Sequence, residues 1–149
     1  MRFRRLTDGK LVSIEKYVPE VLQESPNSLI YIGCDSQVTR NKVIYATAVV
    51  FRYTNGAHIL YNREKYPLVK DLWSRLWKEV EKSIEVAEFL RKECGIKATR
   101  IDLDYNEDPK YPSNKLISAA VGYVESLGYK AKTKPGLLLA THAADGCCR

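Results

Sequence analysis

Between Leu29 and Arg63 three strand-forming runs follow one another with only short connections, and this succession limits the fold more than any other feature of the chain. Leu29 to Cys34 is short, apolar and rich in β-formers. Val43 to Tyr53 is crowded with Val, Ile, Tyr and Thr, and Thr54-Asn55-Gly56 is a hairpin signal leading into a third run, Ala57 to Arg63. Beyond it the pattern changes. A long helix is expected from about Leu68 to Cys94, closed by Gly95 at the C-terminal cap position. A fourth strand follows over Ile96 to Tyr105. Pro112-Ser113-Asn114 then opens a helix that Gly128 ends, Tyr129 to Thr133 reads as a short fifth strand, and a final helix spans about Leu139 to Cys148. Upstream, Ser13 to Gln23 has helical periodicity interrupted by Pro19. After that first helix the order is β-β-β-α-β-α-β-α. It implies one α/β domain over residues 1–149, with a five-stranded mixed sheet in which an antiparallel meander is extended by parallel crossovers.

The bulk properties narrow the class. A chain of 149 residues, 45% hydrophobic and 28% charged, can bury one substantial core and is not a disordered polyelectrolyte. No apolar stretch approaches membrane-spanning length, and Met1-Arg2-Phe3-Arg4-Arg5 lacks the apolar segment of a signal peptide, so a cytoplasmic protein is expected. Cys34, Cys94, Cys147 and Cys148 show no C-x-x-C spacing and are expected to be free thiols. A net charge of +6 favours a polyanionic partner. Lys130, Lys132 and Lys134 recur at period two, so on a strand they share one face. Two readings of that stripe stay open, a phosphate-contacting surface and an edge strand guarded by lysine.

Asp35 follows the first apolar run directly, where the strand is expected to leave the core. A carboxylate is costly to desolvate unless paired or coordinated, and later carboxylates offer a reason for it, a shared metal site. Four motifs carry a resemblance. Gly33-Cys34-Asp35-Ser36-Gln37, Asp102-Leu103-Asp104-Tyr105-Asn106, Pro109-Lys110-Tyr111-Pro112-Ser113-Asn114-Lys115-Leu116 and Ala143-Ala144-Asp145, in this order, resemble the YkuK-type family of ribonuclease H-like proteins. The resemblance implies a ribonuclease H-like fold and a metal-dependent nuclease acting on RNA, DNA or a hybrid. It also implies two divalent ions, Mg2+ or Mn2+, that clamp the attacking and leaving oxygens of a phosphodiester.

Carboxylates are then expected from the first strand, the long helix, the fourth strand and the last helix. Asp35, Asp104 and Asp145 fill three of these places. On a wheel of 100° per residue, Glu79 falls about 50° from the centre of the buried stripe, whereas Glu81 is turned about 200° from Glu79 and faces water. Glu79 is therefore the helix candidate. His142 is placed to shuttle a proton to the leaving oxygen, and Ser113 and Asn114 open a helix whose N–H groups can receive a phosphate. Plainer roles remain open for each: Asp35 as a turn cap, Asp102 and Asp104 as decoration of a solvated strand, Glu79 paired with Lys82 or Arg75, and Asp145 as a helix flank. So do two other functions, a nucleic-acid-binding module without catalysis and a protein-interaction or dimerisation domain using Trp73 and Trp77.

Overall fold

The computed structural model describes residues 1–106, 110, 114–134 and 138–148. Strands β1 (Arg2–Arg5) and β2 (Leu11–Ser13) precede helix α1 (Ile14–Glu24). Strands β3 (Leu29–Val38), β4 (Lys42–Tyr53) and β5 (Gly56–Pro67) lead to helix α2 (Leu72–Cys94). Strand β6 (Arg100–Asn106), helix α3 (Asn114–Ser126), strand β7 (Ala131–Lys134) and helix α4 (Leu139–Cys148) complete the described chain. Among the described residues the sheet has seven strands rather than the expected five, in the order β2-β1-β5-β4-β3-β6-β7. The two additional strands form an N-terminal hairpin. Four residues, three of them arginine, carry too little apolar pattern to read as a strand, but Phe3 is fully buried and pins β1 beside β5 at Arg4↔Tyr61 and Arg5↔Leu60.

Several boundaries move for physical reasons. β3 does not leave the sheet at Asp35; it continues through Ser36 and Gln37 because β4 pairs with it residue by residue as far as Val38↔Val43. α2 begins at Leu72, later than Leu68, because the Asp71 carboxylate caps it by accepting from Trp73 N at 3.1 Å and Ser74 N at 3.3 Å. Gly95 closes it with φ 67°, the left-handed conformation expected of that cap. β6 begins at Arg100, where its parallel pairing with Tyr31 of β3 starts.

The sheet has two unlike faces. Ile30, Ile32, Val49, Phe51, Leu60, Ile101, Leu103 and Tyr105 join the core shared with α1, α2 and α3. On the opposite face α4 rests on Ala46, Ala48, Tyr31 and Val50 through Ala140, Ala144 and Cys148. Small residues let this helix lie close. A Cβ on Gly33 would stand 2.7 Å from Thr141 N and 2.9 Å from Thr141 Cγ2, so only glycine fits. The antiparallel meander runs one way from β3 and the parallel crossovers run the other, so the chain reverses its direction of winding between β3 and β6. Open α/β sheets bind ligands beyond the carboxyl ends of strands at such a point. Among the described residues no helix is long and apolar enough to cross a membrane.

Candidate active site

Side chains alternate along β3, so Ile30, Ile32, Cys34 and Ser36 face α2 while Tyr31, Gly33 and Asp35 face α4. The same alternation in β6 buries Leu103 and Tyr105 on the α2 side and turns Asp102 and Asp104 to the other. Asp35, Asp104, Asp145 and His142 line one open cleft of about 360 Å³, together with Lys134, Leu138 and Thr141. Three carboxylates that are far apart in sequence therefore share a single space.

Like charges this close cannot all remain ionised. Burial pushes Asp35 up to about 7, against the Ser36 N–H that donates to it at 2.9 Å; a hydrogen bond with Asp145 and the charges of Asp104 and Asp145 add to the rise. Asp104 Oδ1 is sealed from solvent and lies 2.6 Å from Lys134 Nζ, an ion pair whose direction does not make a hydrogen bond. Lys134, one of the three lysines of the period-two stripe, thus sits in the cleft as a counter-ion. Lys132 is exposed on β7 and Lys130 is exposed just before that strand.

Glu79 is 5% exposed and approaches from the opposite side of the sheet. Its carboxylate accepts from Ser36 Oγ, and it lines a narrow space with Cys34, Ser83, Asp102 and Asp104. Burial holds it well above the usual carboxylate range, and the charges of Asp35 and Asp104 raise it further. The described pairing of β3 with β6 stops at Gly33↔Asp102, so this glutamate lies beneath the ends of the two strands past their last paired residues. Glu81 is exposed, as the helical wheel requires. Lys82 does not pair with Glu79; it donates to Glu64 at 2.8 Å and to Tyr66 at 2.9 Å. Among the described residues no group of three or more His, Cys, Asp or Glu side chains stands ready to hold a metal ion.

Asp102 is not on a solvated face. It is 1% exposed, receives Arg100 Nε at 2.6 Å, and accepts from Ala140 N at 3.1 Å in the first turn of α4. The Arg100 guanidinium lies over the Tyr31 ring at 4.0 Å. Asp102, buried and held by the half-buried Arg100, anchors the helix that carries Asp145 and His142. Its signal in the sequence was faint, since alternation places Asp102 and Asp104 on the same face without saying that a helix covers it. Gly33 inside an apolar strand was the clearer sign of close backbone approach.

Asn114 opens α3, and Ser113 lies outside the described residues. Trp73 is 40% exposed, whereas Trp77 stacks on Tyr123 with ring centres 5.6 Å apart. Cys34, Cys94, Cys147 and Cys148 are free thiols.

A family model described as ribonuclease H-like matches residues 12–149. No curated protein and no solved structure matches.

Proposed function

The chain belongs to the ribonuclease H-like family, of YkuK type, and from that premise we propose that it is a divalent-metal-dependent nuclease hydrolysing phosphodiester bonds. One observation carries this reading: Asp35, Asp104 and Asp145, from three separate elements, line one open cleft at the winding reversal between β3 and β6. The donor set suits a hard cation. All three donors are carboxylates, and the buried Asp104 Oδ1 already faces a cation, the Lys134 ammonium at 2.6 Å. Mg2+ or Mn2+ ions would be held by Asp35, Asp104 and Asp145, with Glu79 behind them, and would supply Lewis-acid activation of water and neutralisation of the pentacoordinate phosphate.

The chain's own residues have separate tasks. Asp35 must give up its proton before it serves as a ligand, so ion binding and deprotonation are linked. Lys134 already holds a positive charge against Asp104, at the place where a phosphate would enter. His142 is exposed on α4 at the cleft wall and can deliver a proton to the leaving oxygen. Asp102 and Gly33 hold α4 in place through Ala140 and Thr141.

A second reading, a nucleic-acid-binding module without catalysis, is favoured by the Asp104–Lys134 pair and the Asp35–Asp145 hydrogen bond, which quiet the cluster without a metal. Incubating the purified protein with RNA, DNA and hybrid substrates, each with Mg2+ and with Mn2+, separates the two. Cleavage that disappears in Asp35→Asn supports the nuclease. Binding without cleavage under every condition leaves the module.

A further inference from the structure

The face of the sheet that carries the acidic cleft extends past α4 to β5 and the N-terminal hairpin. Ala46 and Ala48 lie under α4, and their partners in β5 are Arg63 and Tyr61, so both of these residues point to the α4 side. Arg4 is opposite Tyr61, which puts Arg2 and Arg4 on the same side, while Phe3 between them is buried in the core of the other. Arg2, Arg4, Tyr61 and Arg63 line one shallow depression of about 320 Å³, and Lys65 continues the row along β5. Arg2, Arg4, Arg63 and Lys65 are exposed and Tyr61 is half-buried.

No acid opposes them from these strands. β1 and β2 contain neither Asp nor Glu, and Glu64 of β5 is turned to the other face, where it binds Lys82. The hydrogen bonds made by these arginines go to neutral carbonyls, Arg4 to Gly9 O at 2.9 Å and Arg63 to Cys148 O at 3.4 Å. The acids nearest the hairpin already have partners: Glu15 of α1 accepts from Ser13 Oγ, opposite Arg2, and is paired with the Met1 ammonium, and Asp8 in the turn after β1 is paired with Arg5.

We infer that this depression is a docking surface for the phosphate backbone of a single nucleic-acid strand, set on the far side of α4 from the cleft. The inference deepens the nuclease reading and rests on it for the identity of the polyanion. Cations in a row beside a ring that can take a stacked base are the features that hold single strands without regard to sequence. Asp35, Ala46 and Arg63 lie in one cross-strand row, so Arg63 is two strand spacings, about 10 Å, from the Asp35 backbone. That is roughly three phosphates along a stacked strand. A strand seated here passes the C-terminal end of α4 to reach the cleft, where Lys132 and Lys134 flank the other side. Arg2 and Arg4 precede residues 12–149, the part that matches the family model, so this half of the surface belongs to the N-terminal hairpin.

The test compares Arg2→Gln/Arg4→Gln/Arg63→Gln with Lys16→Gln/Lys92→Gln/Lys115→Gln, which removes the same charge from α1, α2 and α3. Binding of a single-stranded oligonucleotide is measured in EDTA across a salt series, and turnover of bis(p-nitrophenyl) phosphate is measured with Mn2+. The arginine variant should bind about tenfold or more weakly at low salt, with a slope of log K against log salt flatter by about 2, while the control and the small-substrate turnover stay as in the wild type. Unchanged affinity and slope, or an equal loss in the control, overturns the proposal. So does arginine-dependent retention on phosphatidylserine vesicles with no strand binding, which assigns the face to lipid. Failure of the nuclease reading shows separately, as no turnover of any substrate by the wild type while the binding difference persists.

Discussion

Burial, the Asp145 carboxyl and the charge of Asp104 push Asp35 up to about 7, so its charge is only partly developed at neutral pH. A carboxyl raised above its unfolded value near 3.9 supports the fold fully below that value and loses this support as pH rises through about 7. In EDTA, wild-type melting temperatures should therefore fall over this interval more steeply than those of Asp35→Asn, which should also match or exceed the wild type at pH 8. Metal-dependent cleavage should drop to background in the same variant. A variant that cleaves normally would displace Asp35 from the site. Glu79 and Glu81 make a second comparison on one helix. Glu79→Gln keeps an acceptor for Ser36 but removes the carboxyl that an ion in the cleft would draw into its charged form, and losses of about 10–100-fold in metal affinity or activity are expected from such supporting positions. Glu81→Gln should change neither, since its side chain is exposed. The opposite ranking in cleavage assays would mean that the buried carboxylate serves packing alone.

α4 shows what the sequence made legible and what it hid. Its extent, Leu139 to Cys148, follows from local pattern and agrees with the structure. The face of α2 was equally readable, because a helix of 23 residues repeats its period often enough to define a buried stripe. The seat of α4 was not readable, since it depends on pairs distant in sequence: Gly33 with Thr141, and Asp102 with Ala140. The N-terminal hairpin escaped for a similar reason, as three arginines around Phe3 become a strand only when β5 offers an edge. Gly33→Ala tests the seat directly. Its methyl would meet the backbone of α4, and overpacking of this kind costs about 1–3 kcal/mol. Thermal melts should register that loss, and cleavage should fall further than stability alone accounts for, because Asp145 and His142 move with the helix. Full activity in a stably folded Gly33→Ala protein would show that the cleft tolerates a shifted α4.

Across the whole molecule, cations flank the acidic cleft while many of the glutamates lie on helices of the opposite layer. Neutralising Lys130 and Lys132 should weaken nucleic-acid binding about uniformly across sequences and flatten its salt dependence, as measured by titrations at several salt concentrations. Lys134 should behave differently, because its charge already serves Asp104 at 2.6 Å. Lys134→Gln should raise the apparent affinity for Mg2+ in thermal-shift titrations, since the ion no longer competes with an ammonium. An unchanged salt slope in the first variant would return those lysines to a role at the margin of the sheet.

The short outer strands have a consequence for solubility. β4 and β5 run twelve residues each, whereas the sheet ends on β2, three residues, and β7, four residues of which two are lysine. Terminal strands this brief offer a neighbouring molecule few free backbone groups to copy. Deleting residues 1–10 would uncover the middle of β5, where Arg4 and Arg5 pair with Tyr61 and Leu60, and join its outer edge into one run of amide groups open to a second chain. Such a truncated protein should form dimers or larger species by light scattering at concentrations where the full chain stays dispersed.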